Sequence, residues 1–403
     1  MLYDLGVKTK DYIKLEEKYG AHNYLPLDVV IAKAKGCWVY DVEGKKYLDC
    51  LSAYSAINQG HCHPKILKTF IDQAKKVTLT SRAFRNDQLP LLYRELNKIT
   101  GFEMALPMNS GAEAVETAIK AARKWGYKVK RIPYNKAEII ACKNNFHGRT
   151  VTIISMSTDK QYRDGFGPMT PGFKIIDFGD IKALKKAINK NTAAFLVEPI
   201  QGEAGVMIPP IGFLREAKRI CKKHNVLLIC DEIQSGLGRS GKLFTYEYDN
   251  IRPDMIIIGK ALSGGFYPIS AVLSSRKILG VFNPGDHGST FGGNPLAAAI
   301  ARTALEVIIK EKMVENSAKM GKYFLQELKK IKNPHIKSAH GKGLWIGLVL
   351  NTKARPYCEK LMAEGILCKE THDNIIRFAP PLIIKKSEID WALKHIKKVL
   401  NSF

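Results

Sequence analysis

The chain has eight cysteines but no CxxC pair, no apolar run near the roughly 18 residues of a membrane span, and no internal repeat or low-complexity tract. Each absence removes a class of answer. Cysteines scattered at Cys37, Cys50, Cys62, Cys142, Cys221, Cys230, Cys358 and Cys368 suit small buried core residues in a reducing compartment and argue against a disulfide framework. The triplet His61-Cys62-His63 has no second ligand cluster at zinc-like spacing, so it reads as a turn and not as a metal site. Without a long apolar run, no membrane span is expected. The start, Met1-Leu-Tyr-Asp-Leu-Gly-Val-Lys-Thr-Lys10, lacks the basic head, apolar centre and small-residue cleavage site of a secretory signal, and it is not arginine-rich. A cytoplasmic protein is expected.

Acidic residues are scarce: 38 stand against 63 lysines and arginines, a formal charge of +25. Such an excess raises the question of nucleic acid. The lysines, however, fall in sets at helical spacing, such as Lys182, Lys185, Lys186 and Lys190, or Lys394, Lys397 and Lys398. Interleaved with apolar residues, these read as solvated helix faces. There is no zinc finger, aromatic RNP stripe or basic tail, so nucleic acid is not an expected partner. The charge is expected instead to attract anionic substrates.

What is present, 403 residues of which 45% are hydrophobic, suffices for two or three domains. A helical arm over Asp11 to Tyr19 leads into an irregular segment, Gly20 to Pro26, of the kind that often lines a site. Gly36 to Asp49 alternates around Glu43-Gly44 as an antiparallel hairpin, and Pro64 starts a helix. From about residue 86 to 300, helices alternate with short apolar strands: Met104 to Met108, Glu138 to Cys142, Ala193 to Val197, Val226 to Cys230, Met255 to Ile258 and Pro268 to Ser274. This is the pattern of an α/β domain with a mostly parallel sheet. The tail beyond about Lys310 reads as a smaller α/β unit.

Chemistry gathers where these strands end. Met255 to Ile258 is uncharged and mostly β-branched, and Lys260 follows it at the sheet edge where ligands of open α/β sheets bind. A lysine partly removed from water there has a lowered pKa and serves as an amine nucleophile. Asp231 closes the buried run Val226-Leu-Leu-Ile-Cys-Asp231, a costly place for an unpartnered carboxylate, and Glu198 follows a third strand. A lysine for covalent attachment together with an acid for a protonated ring nitrogen is what pyridoxal phosphate requires. A helix cap or ion pair would also account for Asp231. Two stretches could cradle a phosphate. In Met108-Asn-Ser-Gly-Ala-Glu113 the free amides of Ser110, Gly111 and Ala112 open a helix, and in His287-Gly-Ser-Thr-Phe-Gly-Gly-Asn294 the hydroxyls of Ser289 and Thr290 stand beside glycines. Phe146 offers an aromatic plate. Gly236-Leu-Gly-Arg-Ser-Gly241 fits GxGxxG but opens no helix, so it reads as a flexible loop and not as a dinucleotide fingerprint.

Four motifs taken together resemble the class III pyridoxal-phosphate aminotransferases: Leu196-Val-Glu-Pro-Ile-Gln-Gly-Glu-Ala-Gly-Val206, Cys230-Asp-Glu-Ile-Gln-Ser-Gly-Leu-Gly-Arg-Ser-Gly241, Ile258-Gly-Lys-Ala-Leu-Ser-Gly-Gly265 and Ser289-Thr-Phe-Gly-Gly-Asn-Pro295. The match runs over nearly the whole chain. Tyr19-Gly-Ala-His-Asn-Tyr24, Tyr54 to Pro64 and Arg377-Phe-Ala-Pro-Pro-Leu382 are most similar to the members of the class that act on ornithine, while members acting on acetylornithine or 4-aminobutyrate share much of the scaffold. The resemblance implies fold type I: a large domain with a mostly parallel central sheet at 56–309, an amino-terminal arm with part of the small domain at 1–55, and the rest of the small domain at 310–403. It implies a homodimer with shared active sites, taking ornithine, 2-oxoglutarate and glutamate. In that reading Lys260 would hold the cofactor, Asp231 face the ring nitrogen, Gln234 the phenolic oxygen, and Phe146 and Ile233 the ring faces. Ser110, Gly111 and Ala112 would bind phosphate, with Ser289 and Thr290 from the other subunit. Tyr24 and Arg149 would hold the α-amino and carboxylate groups of ornithine, and Tyr54 would line the pocket. Arg377 would bind the α-carboxylate of glutamate or 2-oxoglutarate, masked by Glu203 during the ornithine half-reaction. An aminomutase or racemase of the same fold, or a catalytically dead binding protein, remains as an alternative.

Overall fold

The computed structural model describes residues 8–403. In chain order the strands are β1 (Ile31–Lys35), β2 (Trp38–Asp41), β3 (Lys46–Asp49), β4 (Met104–Met108), β5 (Glu138–Cys142), β6 (Phe173–Ile176), β7 (Thr192–Val197), β8 (Leu227–Asp231), β9 (Met255–Ile258), β10 (Ser270–Ser274), β11 (Ile336–Gly341), β12 (Ile346–Leu350), β13 (Ile366–Leu367), β14 (Lys369–Thr371) and β15 (Ile375–Phe378). Seven of them form the central sheet, in the order β4-β10-β9-β8-β7-β5-β6. All neighbours pair in parallel except β10, which runs antiparallel to both β4 and β9. The expected mostly parallel α/β sheet is present, with β6 as an added edge strand.

Every residue of β7, β8, β9 and β10 is buried, which explains runs that are apolar but for Thr192, Asp231, Ser270 and Ser274 at their ends. Successive side chains nevertheless serve different cores. Ile139, Ala141, Ala194, Leu196, Ile229 and Ile257 pack on the face covered by helix Gly111–Lys128, whose Ala114, Val115, Ala118 and Ala122 let it lie close. Ile140, Cys142, Phe195, Val197, Leu228 and Ile256 face a core shared with helix Pro295–Lys310. The pleat therefore distributes one apolar run between two layers of helices.

Two four-stranded sheets flank this body. One has the order β1-β2-β3-β13, and its last pairing is parallel, Ile366 with Leu48, so that residues more than 300 positions apart share a sheet. The other is β11-β12-β15-β14. The smaller α/β region is thus built from both ends of the chain.

Two local findings differ from expectation. The Gly236–Gly241 segment is packed, not loose: Arg239 is fully buried and donates to the carbonyls of Leu344 and Pro380 at 2.7 Å and to Asn58 Oδ1 at 2.6 Å. Burial lowers the Arg239 pKa to about 9. Its glycines allow close approach to helix Met313–Lys329 instead of opening one. The irregular stretch around Tyr54 contains a left-handed turn in which Ser52, Ala53, Tyr54 and Ser55 all have positive φ, from 45° to 73°. Non-glycine residues disfavour this by roughly 1–2 kcal/mol each, a cost that persists only where the surroundings impose the geometry. In the His61-Cys62-His63 triplet, His61 pairs with Asp49 at 2.8 Å and His63 with Glu311 at 3.1 Å. No cluster able to hold a metal ion occurs among the described residues.

Candidate active site

The parallel order β9-β8-β7 brings three sequence-distant chain ends to one edge of the sheet. Asp231 is the last residue of β8, Glu198 follows β7, and Lys260 stands two residues beyond β9. They line one cavity of about 190 Å³ with Gly111, Ala112 and Phe146. Lys260 has φ 44°, so the side chain that carries the amine is presented from a left-handed backbone. Backbone strain of this kind persists only where the surroundings impose it. Burial lowers the Lys260 pKa, with the charges of Glu203 and Asp231 opposing the shift. The amine is thereby moved toward its nucleophilic form.

Asp231 is 4% exposed and is not left alone. His147 Nδ1 lies 2.6 Å from its Oδ2, and its Oδ1 accepts the Ile233 amide at 3.0 Å. Burial disfavours the imidazolium, but the hydrogen bond to Asp231 and its charge outweigh this, and the His147 pKa is raised. His147 Nε2 is buried without a partner among the described residues. Glu198 completes the group, accepting from the Phe146 amide at 3.0 Å. Burial pushes its pKa up to about 7, with His147 acting in the opposite direction.

Below this group lies the amino end of helix Gly111–Lys128. The amides of Gly111 and Ala112, first in the helix, have no intrahelical acceptor and border the cavity. Ser110 differs from the expected row of three free amides. Its N–H donates to Glu113 Oε2 at 2.6 Å and its Oγ accepts from the Glu113 amide at 3.2 Å, a reciprocal cap. The second candidate cradle divides. Ser289 Oγ accepts from Asn109 Nδ2 of its own chain at 2.7 Å, next to Ser110, whereas Thr290 is exposed.

Arg377 on β15 donates to Glu203 Oε1 at 2.8 Å. Gln234 Nε2 donates to the same oxygen at 3.1 Å. The guanidinium lies over the Tyr54 ring at 4.9 Å, which is what the left-handed turn presents. Burial opposes the Glu203 charge, but Arg377 prevails and holds its pKa at about 2. Glycine is required at Gly202, where a Cβ would overlap the Gln234 side-chain oxygen. Tyr24, Arg149 and Tyr162 share a second cavity of about 250 Å³. The Arg149 guanidinium stacks on the Tyr162 ring at 3.8 Å and lies 5.6 Å from Phe146.

The structure thus brings Lys260, Asp231, Phe146, Ile233, Gln234, Gly111 and Ala112 onto one cavity, with Glu203, Arg377 and Tyr54 beside it. Sequence reasoning did not single out His147, Tyr162 or Thr371, whose hydroxyl donates to the Glu203 carbonyl. The only trace of His147 was its place next to Phe146 after a strand. Tyr162 and Thr371 lie in short polar stretches without periodicity.

An amine beside a buried carboxylate and a helix amino end fits a carbonyl cofactor that carries a basic ring nitrogen and a phosphate. Comparison with known proteins agrees. Residues 19–400 match the family model for aminotransferase class-III. An ornithine aminotransferase of Geobacillus sp. (strain WCH70) is 62% identical over 392 residues, 97% of this chain and 98% of that protein. Among solved structures, an ornithine aminotransferase of Toxoplasma gondii with partial occupancy of PLP at its active site superposes with a TM-score of 0.97. It is 43% identical, covering 98% of this chain and 94% of that one. An acetylornithine aminotransferase of Elizabethkingia anophelis has a TM-score of 0.91 at 48% identity, covering 98% of this chain and 100% of that one. A match of this length, over a site whose lysine and aspartate end adjacent parallel strands, places the chain in the class III aminotransferase family.

Proposed function

We propose that this chain transfers the terminal amino group of L-ornithine to 2-oxoglutarate, giving glutamate 5-semialdehyde, which cyclises to pyrroline-5-carboxylate, and glutamate. The observation that carries this reading is the presence of two separate arginines, Arg149 in a cavity with Tyr24 and Arg377 masked by Glu203 at 2.8 Å. A terminal-amine donor and an α-amino acid differ in how far their carboxylate lies from the reacting amine. One site can serve both only if one carboxylate receptor is covered when the other is used.

Pyridoxal phosphate, when bound, supplies an aldehyde carbon and a ring that takes up electron density. Lys260 Nζ would hold it by that aldehyde carbon, and when free the same amine would carry a proton between the amine-bearing carbon of the substrate and the aldehyde carbon. Asp231, oriented by His147, keeps a proton on the ring nitrogen. Phe146 and Ile233 cover the two ring faces, and Gln234 meets the phenolic oxygen. Gly111 and Ala112, with Ser110, meet the phosphate. Thr290 of a second copy, with Ser289 beside it, completes that cradle in a homodimer. Tyr24 and Arg149 receive the α-amino and carboxylate end of ornithine, Tyr54 lines the pocket, and Arg377 receives the α-carboxylate of glutamate or 2-oxoglutarate when Glu203 moves aside. We place the divisions of the chain at 1–55, 56–309 and 310–403, and the protein in the cytoplasm.

The test is a panel of amino donors with 2-oxoglutarate as acceptor, scored for trapped pyrroline-5-carboxylate. Ornithine should exceed acetylornithine and 4-aminobutyrate in kcat/KM. A preference for acetylornithine would replace this reading with the one its 48% identical structural neighbour suggests.

A further inference from the structure

Tyr24 belongs to a segment that should not hold still on its own. Residues 20–26 have no regular hydrogen-bonded structure and every one is exposed, Tyr24 itself at 74%. Such a chain loses conformational entropy when a ligand orders it, which weakens binding. Its carbonyls are nevertheless gripped from 330 positions away. Arg355 Nη2 donates to the Pro26 carbonyl at 2.7 Å and Nη1 to the Leu25 carbonyl at 3.2 Å. Lys369 Nζ donates to the same Leu25 oxygen at 3.3 Å. The planar guanidinium is itself fixed, by Glu359 one helical turn on at 2.7 Å and by Glu370 on β14 at 3.3 Å. Glu370 is followed by Thr371, which holds the Glu203 carbonyl.

We infer that Arg355 is a positioning residue for substrate selection, docking the two carbonyls that follow Tyr24 so that Tyr24 faces Arg149 before substrate arrives. β14 and the helix beginning at Arg355 then form one platform that holds both the Tyr24 segment and the Glu203 loop. The inference rests on the proposed role of Tyr24 toward ornithine.

The experiment compares Arg355→Leu and Arg355→Lys with the wild type as cofactor-loaded enzymes. In Arg355→Leu, conformational exchange of residues 20–26 without substrate, read as the rate of proteolytic nicking there, should rise about tenfold, and KM for ornithine should rise about tenfold with kcat within about twofold. The glutamate half-reaction, which uses Arg377, should keep its KM. Arg355→Lys, with one donor group in place of a fork, should fall between. Lys369→Met removes one of the three contacts and should give the same pattern at smaller size, serving if Arg355→Leu does not fold. Unchanged exchange overturns the anchoring. Faster exchange with an unchanged ornithine KM overturns the role in selection, and equal losses in both half-reactions reduce Arg355 to a structural residue. A wild type inactive on ornithine would refute the substrate reading, while the exchange measurement would still decide the anchoring.

Discussion

The ion pair between Arg377 and Glu203 is lopsided: at 2.8 Å, the arginine side chain is 1% exposed and the glutamate 25%. Arg377 lies on β15, held by the sheet, and its Nε is buried without a partner among the described residues. Glu203 sits on a loop beyond β7. The carboxylate is therefore the partner freer to leave, and the arginine is the one that stays.

Glu203→Gln should shift the balance of reactivity toward α-amino donors. Removing the charge leaves Arg377 uncompensated and ready for a substrate carboxylate, so the ratio of kcat/KM for glutamate to that for ornithine should rise about tenfold or more. An unchanged ratio would end the masking idea. Because the Glu203 pKa is depressed to about 2, the pair is complete above the ordinary carboxylate range and is lost only as pH falls toward 2. The wild-type ratio should therefore show no titration of Glu203 between pH 5 and 8, a prediction that pH profiles of the two half-reactions test.

Lys260→Ala should abolish turnover and the visible absorption of the lysine-linked cofactor. Lys260→Gly should be equally inactive yet more stable than Lys260→Ala by about 1 kcal/mol in denaturant unfolding, because glycine accepts positive φ without a Cβ penalty. An Ala variant as stable as the Gly variant would mean that the turn relaxes.

Glu198→Gln should change how stability depends on pH. The folded carboxyl titrates near 7 against an ordinary value of 4.5, so between these the unfolded chain has released a proton that the folded chain still holds. Stability due to this group falls as pH rises through that window and levels above it. The glutamine variant escapes the loss, so its advantage over wild type should grow from pH 4.5 to 7, reaching at most roughly 3 kcal/mol. Denaturant unfolding of both proteins at pH 4.5, 6 and 8 measures this.

Tyr162→Leu removes the ring on which Arg149 rests. A cation–π contact of roughly 0.5–2 kcal/mol predicts a rise in KM for ornithine of about 2- to 30-fold, with Tyr162→Phe near wild type. If Phe and Leu behave alike, the ring does not position Arg149.

The inner strands of the large sheet were legible because they are buried on both faces, and the edge strand Met104–Met108 because its run is uncharged and apolar. Met104–Met108, Glu138–Cys142 and Met255–Ile258 have the bounds that their apolar runs suggest. Phe173–Ile176 escaped because an edge strand of only four residues, three of them half-buried and Lys174 among them, carries little pattern. The left-handed turn at Ser52 to Ser55 contains no glycine to announce it. Gly236–Gly241 looked loose because glycine spacing does not reveal that Arg239 fills the space beneath.

From sequence alone, Lys260 and Asp231 can be placed at strand ends, since burial and period are local properties of a run of residues. Only the tertiary structure decides that His147 orients Asp231, that Glu203 covers Arg377, and that Arg355 holds the segment of Tyr24. Each of these contacts joins residues tens to hundreds of positions apart, and its strength depends on distance and burial, which no local pattern encodes.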